Sequence, residues 1–475
     1  MADIALAALD GGEVLVDEAA FEALRSELRG PALRPGEPGY DEARTLYNAM
    51  IDNKPAVIVR CAGVADVMEG VKFAAANGLL LSVRGGGHNV TGNAVCDGGL
   101  MLDLSTMNSV RVDPKAKRAY AEGGATWSDY DAETQAFGLG STGGLISATG
   151  VAGLTLGGGI GWLQGKHGLA CDNVISFDMV TADGELVTAS AEENSDLYWG
   201  LRGGGGNFGV VVSFEFTLHE IGPFLAGMLL YPLAEAKESL AAFRDFLAET
   251  PDELGALAGL VTAPDGAPVL ALVFVYNGDL DEGARVLQPM REFGPPMMDT
   301  LGPMPYRQVQ TLFDEGAPPG LRNYWKSSFL ERLPDEAIQA LVACRASMPS
   351  PNSKLFIECL GGAMARIGRD ETAFDHRDVP YNFLILGAWE KSEDDDANIA
   401  WARETWQTLQ PYASAGVYVN YLGQEADEGA ERVRASYGQA KYDHLVVLKT
   451  KYDPNNLFRM NQNISRQSPS LTKNH

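Results

Sequence analysis

The chain has 475 residues, 45% of them hydrophobic, and a formal net charge of −26. That length predicts two domains with full-sized cores. The acidity excludes nucleic acid and anionic membrane as partners and disfavours strongly anionic substrates.

Cysteines stand at 61, 96, 171, 344 and 359 with no CxxC pair, and the histidines form no HxxxH or HExxH pair. This predicts reduced thiols, no metal site and a cytoplasmic setting. No signal peptide is visible at the start, and no apolar run is long enough to span a membrane. Glycine, at 54 residues, exceeds its usual share and is clustered.

In chain order, residues 17–29 have helical spacing of Ala20, Phe21, Leu24 and Leu28. Residues 55–60 read as a strand, and 64–76 as an amphipathic helix closed by Gly78. Residues 79–83 read as the next strand, completing a β-α-β unit. That strand runs into Arg84-Gly85-Gly86-Gly87-His88-Asn89. Three glycines let the main chain approach a ligand closely, and their N–H groups beside Arg84 make a pyrophosphate cradle. Alone, the stretch reads equally as a turn with a surface histidine.

Strands follow at 100–104 and 110–112, and Thr126 or Ser128 caps a helix through Phe137. Gly138 to Gly143 matches GxGxxG but follows a helix instead of a strand, so it is no dinucleotide fingerprint. A second cluster, Gly150 to Gly161, offers a bare backbone surface to a flat ligand, or else a close helix contact. Strands at 176–181 and 185–188 precede a third cluster, Gly203 to Gly209, which enters an alternating strand over 211–218.

Composition shifts near Gly222-Pro223. Beyond it, strands are expected at 226–232, 256–263, 268–276, 354–360, 382–389 and 415–422, and helices at 234–249, 335–347 and 398–413. This is an α+β pattern, an antiparallel sheet with helices over one face. On a strand at 415–422, Tyr418 and Asn420 would share a face.

Together these pieces resemble FAD-linked oxidases of the vanillyl-alcohol oxidase superfamily, in the berberine-bridge-enzyme-like branch. The carriers are the Arg84–Asn89 turn, Thr149 to Gly161, Gly203 to Val211, Tyr418-Val-Asn420, and the tail from Asn456 to Ile464. The resemblance runs from about residue 50 to 464. It implies a two-domain PCMH-type FAD-binding fold: an FAD domain over 1–222 with its core at about 50–222, a substrate domain over 223–422, and a segment over 423–475 returning to the FAD domain. The cofactor is then FAD, joined at its 8α position to His88.

The implied FAD contacts are Arg84, Gly85, Gly86, Gly87, His88 and Asn89. From the second cluster come Gly143, Ile146, Ser147, Thr149, Gly150, Gly153, Leu154, Gly157, Gly159 and Gly161. The third adds Gly206, Asn207, Phe208, Gly209, Val210 and Val211, and the tail adds Asn456. Many members carry a second link through a cysteine at the position of Ile146, so a single bond and a less oxidising flavin are expected here. Val90 replaces a tyrosine of the plant branch.

The implied reaction takes a hydride from a substrate C–H and a proton from an adjacent O–H or N–H. Tyr418 matches the family base. A free tyrosine titrates near ~10, so phenolate needs stabilisation: Asn420 by hydrogen bond, and Lys326 by charge if its strand faces the flavin. Tyr421, Tyr437 and Tyr442 remain rivals. The electron acceptor is O2, giving hydrogen peroxide, or another acceptor in a dehydrogenase; a flavoprotein without turnover is the third reading. Thr149 stands where a small branched residue leaves room for oxygen. The small-molecule substrate is a sugar, a secondary-metabolite alcohol or an amine.

Overall fold

The computed structural model describes residues 3–414, 416–423 and 429–465. Residue 415 of the expected strand at 415–422, and residues 424–428 and 466–475 of the C-terminal segment, lie outside it.

The β-α-β unit forms as read. Val57–Arg60 and Leu81–Arg84 flank Leu100–Asp103 in parallel, with Val57 and Leu81 both opposite Leu100. The helix Val64–Asn77 crosses between them and stops at Gly78, whose φ of 63° is left-handed and suits glycine. Val57, Ile58, Val59, Leu100, Met101 and Leu102 are all fully buried, as parallel strands covered on both faces require.

A second, five-stranded sheet runs in the order Leu186–Ser190, Val174–Val180, Val210–Thr217, Arg118–Glu122, Val110–Asp113. The Arg118–Glu122 strand was not expected. Its inward residues, Ala119 and Ala121, are fully buried but too small to give a hydrophobic signal. The C-terminal helices Ala430–Tyr437 and Gln439–Tyr452 pack onto this half, where Tyr437, Leu445, Leu448 and Ile464 share one core with Phe177, Phe214 and Phe216. The buried Lys449 ammonium fastens the tail, donating to the Asn207 carbonyl (2.7 Å), the Phe458 carbonyl (2.9 Å) and the Asp453 carboxylate (2.6 Å).

The remainder is an antiparallel eight-stranded sheet, including Phe224–Pro232, Pro268–Tyr276, Leu254–Thr262, Lys354–Cys359, Tyr381–Trp389 and Arg322–Leu330 in that spatial order. One face carries Ala236–Leu247, Leu280–Glu292, Asp335–Ala346 and Asp395–Leu409, whose Phe243, Leu287, Ile338 and Trp401 pack on Phe274, Ile357 and Ile385. Helix Leu280–Glu292 was not anticipated; Pro289 inside it reads in sequence as a breaker. The fold is thus α+β, with a glycine-rich half built on the four- and five-stranded sheets and an antiparallel sheet covered by helices on one face. No helix among the described residues is long and apolar enough to cross a membrane.

The strand expected over 415–422 does not form. Tyr418 is extended, and Val419–Tyr421 is a single 3-10 turn. Val417 and Val419 are buried (1% and 7% exposed) and alternate with the polar side chains. Tyr418 is buried as well (2% exposed), so the run is buried on both sides, and its polar groups bond to the Gly159 and Ile160 amides and the Leu154 carbonyl instead of a neighbouring strand.

Candidate active site

The uncovered face of the eight-stranded sheet and the three glycine clusters enclose a cavity of about 500 Å³. Gly85, Gly86, Gly87, His88 and Asn89 line it from the first cluster. Ile146, Thr149, Gly150, Gly153 and Leu154 line it from the second, and Gly206, Asn207, Gly209, Val210 and Val211 from the third. Tyr418 and Asn420 lie on the same wall.

The glycines do two different jobs. At Gly86 a Cβ would lie 2.5 Å from the Gly150 backbone, so those two turns touch main chain to main chain. At Gly153 and Gly206 nothing lies within 4 Å of a Cβ, so these two open onto the cavity.

Other expected residues stand off the wall. The Arg84 guanidinium donates to the Ala43 carbonyl at 2.7 Å and lies 3.8 Å from the buried Asp103, beneath the turn instead of beside a cradle. A Cβ on Gly161 would overlap the Gly143 carbonyl, so this pair is a backbone contact. Gly157 packs on Asn420. Gly159, at φ 93°, contributes its amide. The Ser147 amide and hydroxyl donate to Asp314 at 3.0 and 2.5 Å. Phe208 is core, against Gly200 and Gly204. Asn456 holds a left-handed turn at φ 54°.

Lys326 also faces away. Trp325 lines the cavity, so alternation turns Lys326 to the helix layer, 5.5 Å from the Trp406 ring and 5.7 Å from the Tyr324 ring. The expected positive charge beside Tyr418 is therefore elsewhere. Tyr437 lines the cavity, whereas Tyr442 is core beneath Arg434.

The Tyr418 oxygen instead accepts three N–H groups: Gly159 at 3.0 Å, Ile160 at 3.3 Å and the Asn420 amide at 2.8 Å. The Asn420 amide is oriented by a second bond to the Leu154 carbonyl at 3.1 Å. A neutral phenol offers two lone pairs, so three donors favour phenolate geometrically. Burial works the other way and is larger, raising the pKa, while these bonds lower it.

Beside it, the Tyr421 hydroxyl donates to Glu358 at 2.7 Å, and Asn382 donates to the other carboxylate oxygen at 2.6 Å. Glu358 is 3% exposed, and burial raises its pKa against those two bonds. Sequence reading missed it. The available signal was a lone carboxylate in Lys354–Cys359, alternating with the buried Leu355 and Ile357.

An aromatic row connects the two ends of the site. His88 stacks on Tyr47 at 4.0 Å and 17°; Tyr47 meets Trp325 at 6.4 Å, Trp325 meets Tyr421 at 6.0 Å, and Tyr421 meets Tyr418 at 4.9 Å.

The wall suits a flavin. Buried His88 Nε2, the Tyr437 hydroxyl and Asn461 Oδ1 all border the cavity without a protein partner. Burial pushes the His88 pKa down to about 4, leaving a neutral imidazole with a free lone pair at pH 7. None of the five cysteines, all free thiols, lines the cavity. Among the described residues no cluster of His, Cys, Asp or Glu could hold a metal.

Comparison with known proteins finds relatives of the whole chain. A family model described as FAD binding domain matches residues 55–190, and one described as berberine and berberine like matches 417–465. An FAD-linked oxidoreductase of Dictyostelium discoideum is 32% identical over 442 residues, covering 92% of this chain and 95% of its own. The crystal structure of 6-hydroxy-D-nicotine oxidase from Arthrobacter nicotinovorans superposes with a TM-score of 0.85 at 31% identity, covering 92% and 98% of the two chains. A chitooligosaccharide oxidase structure gives 0.83 at 26% identity, covering 95% and 100%. The chain belongs to the berberine-bridge-enzyme-like family of FAD-linked oxidoreductases.

Proposed function

We propose that the chain is an oxidase in which Tyr418 takes a proton from the substrate O–H or N–H and His88 is the single covalent attachment of FAD. FAD, when bound, accepts the hydride of an alcohol, sugar hemiacetal or amine C–H and passes the electrons to O2, which leaves as hydrogen peroxide. The observation that carries this reading is the convergence of Gly159 N–H, Ile160 N–H and the Asn420 amide on one phenol oxygen. Pre-aimed donors of this kind stabilise charge as it develops, without reorganisation.

Ile146, on the wall where many members place a second-link cysteine, supports a single bond. Thr149, also on the wall, supports room for oxygen; relatives named as oxidases of 6-hydroxy-D-nicotine and of chitooligosaccharides point the same way.

The bond from Tyr421 to Glu358 favours a second assignment of the base, in which Glu358 receives the proton directly or through Tyr421. Glu358→Gln tests it: under the Tyr418 assignment the variant keeps most of its anaerobic reduction rate, and under the second it loses that rate. For the reaction as a whole, a substrate screen should follow flavin bleaching under nitrogen, then peroxide after air is admitted. Bleaching with rapid peroxide supports the oxidase. Bleaching followed by fast dye reduction and sluggish reaction with air replaces it with a dehydrogenase. No bleaching across the screen replaces both with a flavoprotein that binds without turnover.

A further inference from the structure

The sheet side of the cavity is built in rungs, each running across neighbouring strands. One rung reads Met228, Val273, Leu257, Glu358, Asn382. The next reads Leu230, Ala271, Gly259, Phe356, Leu384, Ser327. A third pairs Lys354 with Leu386 and Leu386 with Trp325. Side chains alternate along each strand, so most sheet residues that line the cavity come from these rungs, with Val261 and Thr262, whose hydroxyl accepts from Arg345, added at the end of one strand.

The polar groups on this wall are few and already held. Glu358 accepts from Tyr421 and Asn382. Lys354 donates to the Gly316 and Asn352 carbonyls at 2.7 and 2.8 Å. Burial lowers its pKa to about 8. Lys354 and Glu358 are four positions apart on one strand face, a span of about 13 Å, and Phe356 stands between them.

The Phe356 ring has a specific seat. Gly259 lies opposite Phe356 in the ladder, and a Cβ there would come within 2.8 Å of the ring. The glycine thus makes room for the ring to fold over the strand. Phe313 stacks on Phe356 at 5.8 Å and 23°, and Trp162 backs Phe313 at 5.5 Å. The result is a supported aromatic platform facing the glycine clusters.

We infer that this site takes a ring-bearing, largely apolar alcohol or amine, with its one reacting polar end at Tyr418 and Glu358 and its body on Phe356, Leu257 and Leu386, and that it rejects oligosaccharides. The inference rests on the oxidase reading and narrows its substrate class. A saccharide would press several hydroxyls against Leu, Val and Phe side chains that cannot replace their hydrogen bonds to water, which is unfavourable for each hydroxyl buried. An apolar ring meets dispersion contacts and loses no hydrogen bonds.

The test uses the flavin-loaded full chain under nitrogen. The probes are 1-phenylethanol, cinnamyl alcohol, cyclohexylmethanol and phenethylamine on one side, and cellobiose and diacetylchitobiose on the other. Binding is read from perturbation of the flavin absorbance, and reaction from its bleaching. At least one ring-bearing probe should bind about 100-fold more tightly than either disaccharide. Phe356→Ala should weaken the ring-bearing probes at least about tenfold and leave disaccharide binding unchanged. If that variant fails to retain flavin, the wild-type panel alone decides. Disaccharides binding as tightly as the ring-bearing probes, or no perturbation by any ring-bearing probe at millimolar concentration, overturns the inference. Disaccharide bleaching with prompt peroxide would sink the substrate class while leaving the oxidase reading intact. Tight ring-bearing binding with no bleaching by any probe would do the reverse.

Discussion

Replacing Tyr418 with phenylalanine removes one oxygen and keeps the ring. Two consequences follow from the geometry. For the reaction, loss of a positioned proton acceptor lowers the rate by about 10²–10⁴-fold, or ~2.7–5.4 kcal/mol of barrier. For stability, the Gly159 and Ile160 amides lose their acceptor, while the Asn420 amide keeps the Leu154 carbonyl. Each buried donor left unpaired costs about 1–3 kcal/mol, so the variant should lose ~2–6 kcal/mol of a total that is typically 5–15. The assay is stopped-flow bleaching of flavin by substrate under nitrogen, normalised to bound flavin, beside urea unfolding monitored by tryptophan fluorescence. Asn420→Ala separates the two consequences. It keeps the phenol but removes one donor to phenolate, so the ascending, low-pH limb of the kcat/KM profile, which a base governs, should move to higher pH. Wild-type bleaching in Tyr418→Phe, or an Asn420→Ala profile superimposable on wild type, would refute the reasoning.

Acid precipitation of the loaded protein should leave the flavin in the pellet on a peptide containing His88, whereas His88→Ala should still bind FAD, release it to the supernatant and react more slowly. Thr149→Leu should slow reoxidation by air and leave anaerobic bleaching nearly unchanged; equal slowing of both would remove Thr149 from the oxygen path. Asp131 is 2% exposed, and burial raises its pKa to about 8 against the nearby Gln310 amide and Arg307. A carboxyl whose folded pKa is raised binds more protons folded than unfolded, so its contribution to stability is full below ~4 and is lost as pH rises through about 8. Asp131→Asn should therefore raise the melting temperature at pH 8–9 and flatten its dependence between pH 5 and 8; a steeper dependence would show that another group dominates.

Legibility in the sequence follows chemistry carried by side chains. The β-α-β unit and the sheet strands expected at 226–232, 256–263, 268–276, 354–360 and 382–389 announce themselves through periodicity, and they form as read, within a few residues at the ends, whereas strand Arg322–Leu330 was not among those expected. Strand Arg118–Glu122 and helix Leu280–Glu292 do not announce themselves, because small alanines and an internal proline mute the same signals. The glycine clusters draw attention correctly, yet composition cannot say which glycine meets a ligand and which meets another glycine. Gly153 opens onto the cavity while Gly161 abuts the Gly143 carbonyl, and only the three-dimensional packing separates them.

The same limit explains the groups that bond to the Tyr418 oxygen. Sequence reasoning looks for a charged side chain beside a phenol and nominates Lys326, which the strand's alternation turns to the opposite face of the sheet. The groups that reach the oxygen are two backbone amides from a loop some 260 positions earlier, with the Asn420 side chain. Every non-proline residue carries such an amide, so its identity leaves no mark in the sequence. What leaves a mark is the conformation that aims it: Gly159 at φ 93°, a value that disfavours side chains, next to Gly158 at φ 119°. The run Gly157-Gly158-Gly159 is therefore better understood as the element that turns two N–H groups toward a phenol than as a bare surface for a flat ligand. A substitution at Gly159 should then damage the base before it damages cofactor binding.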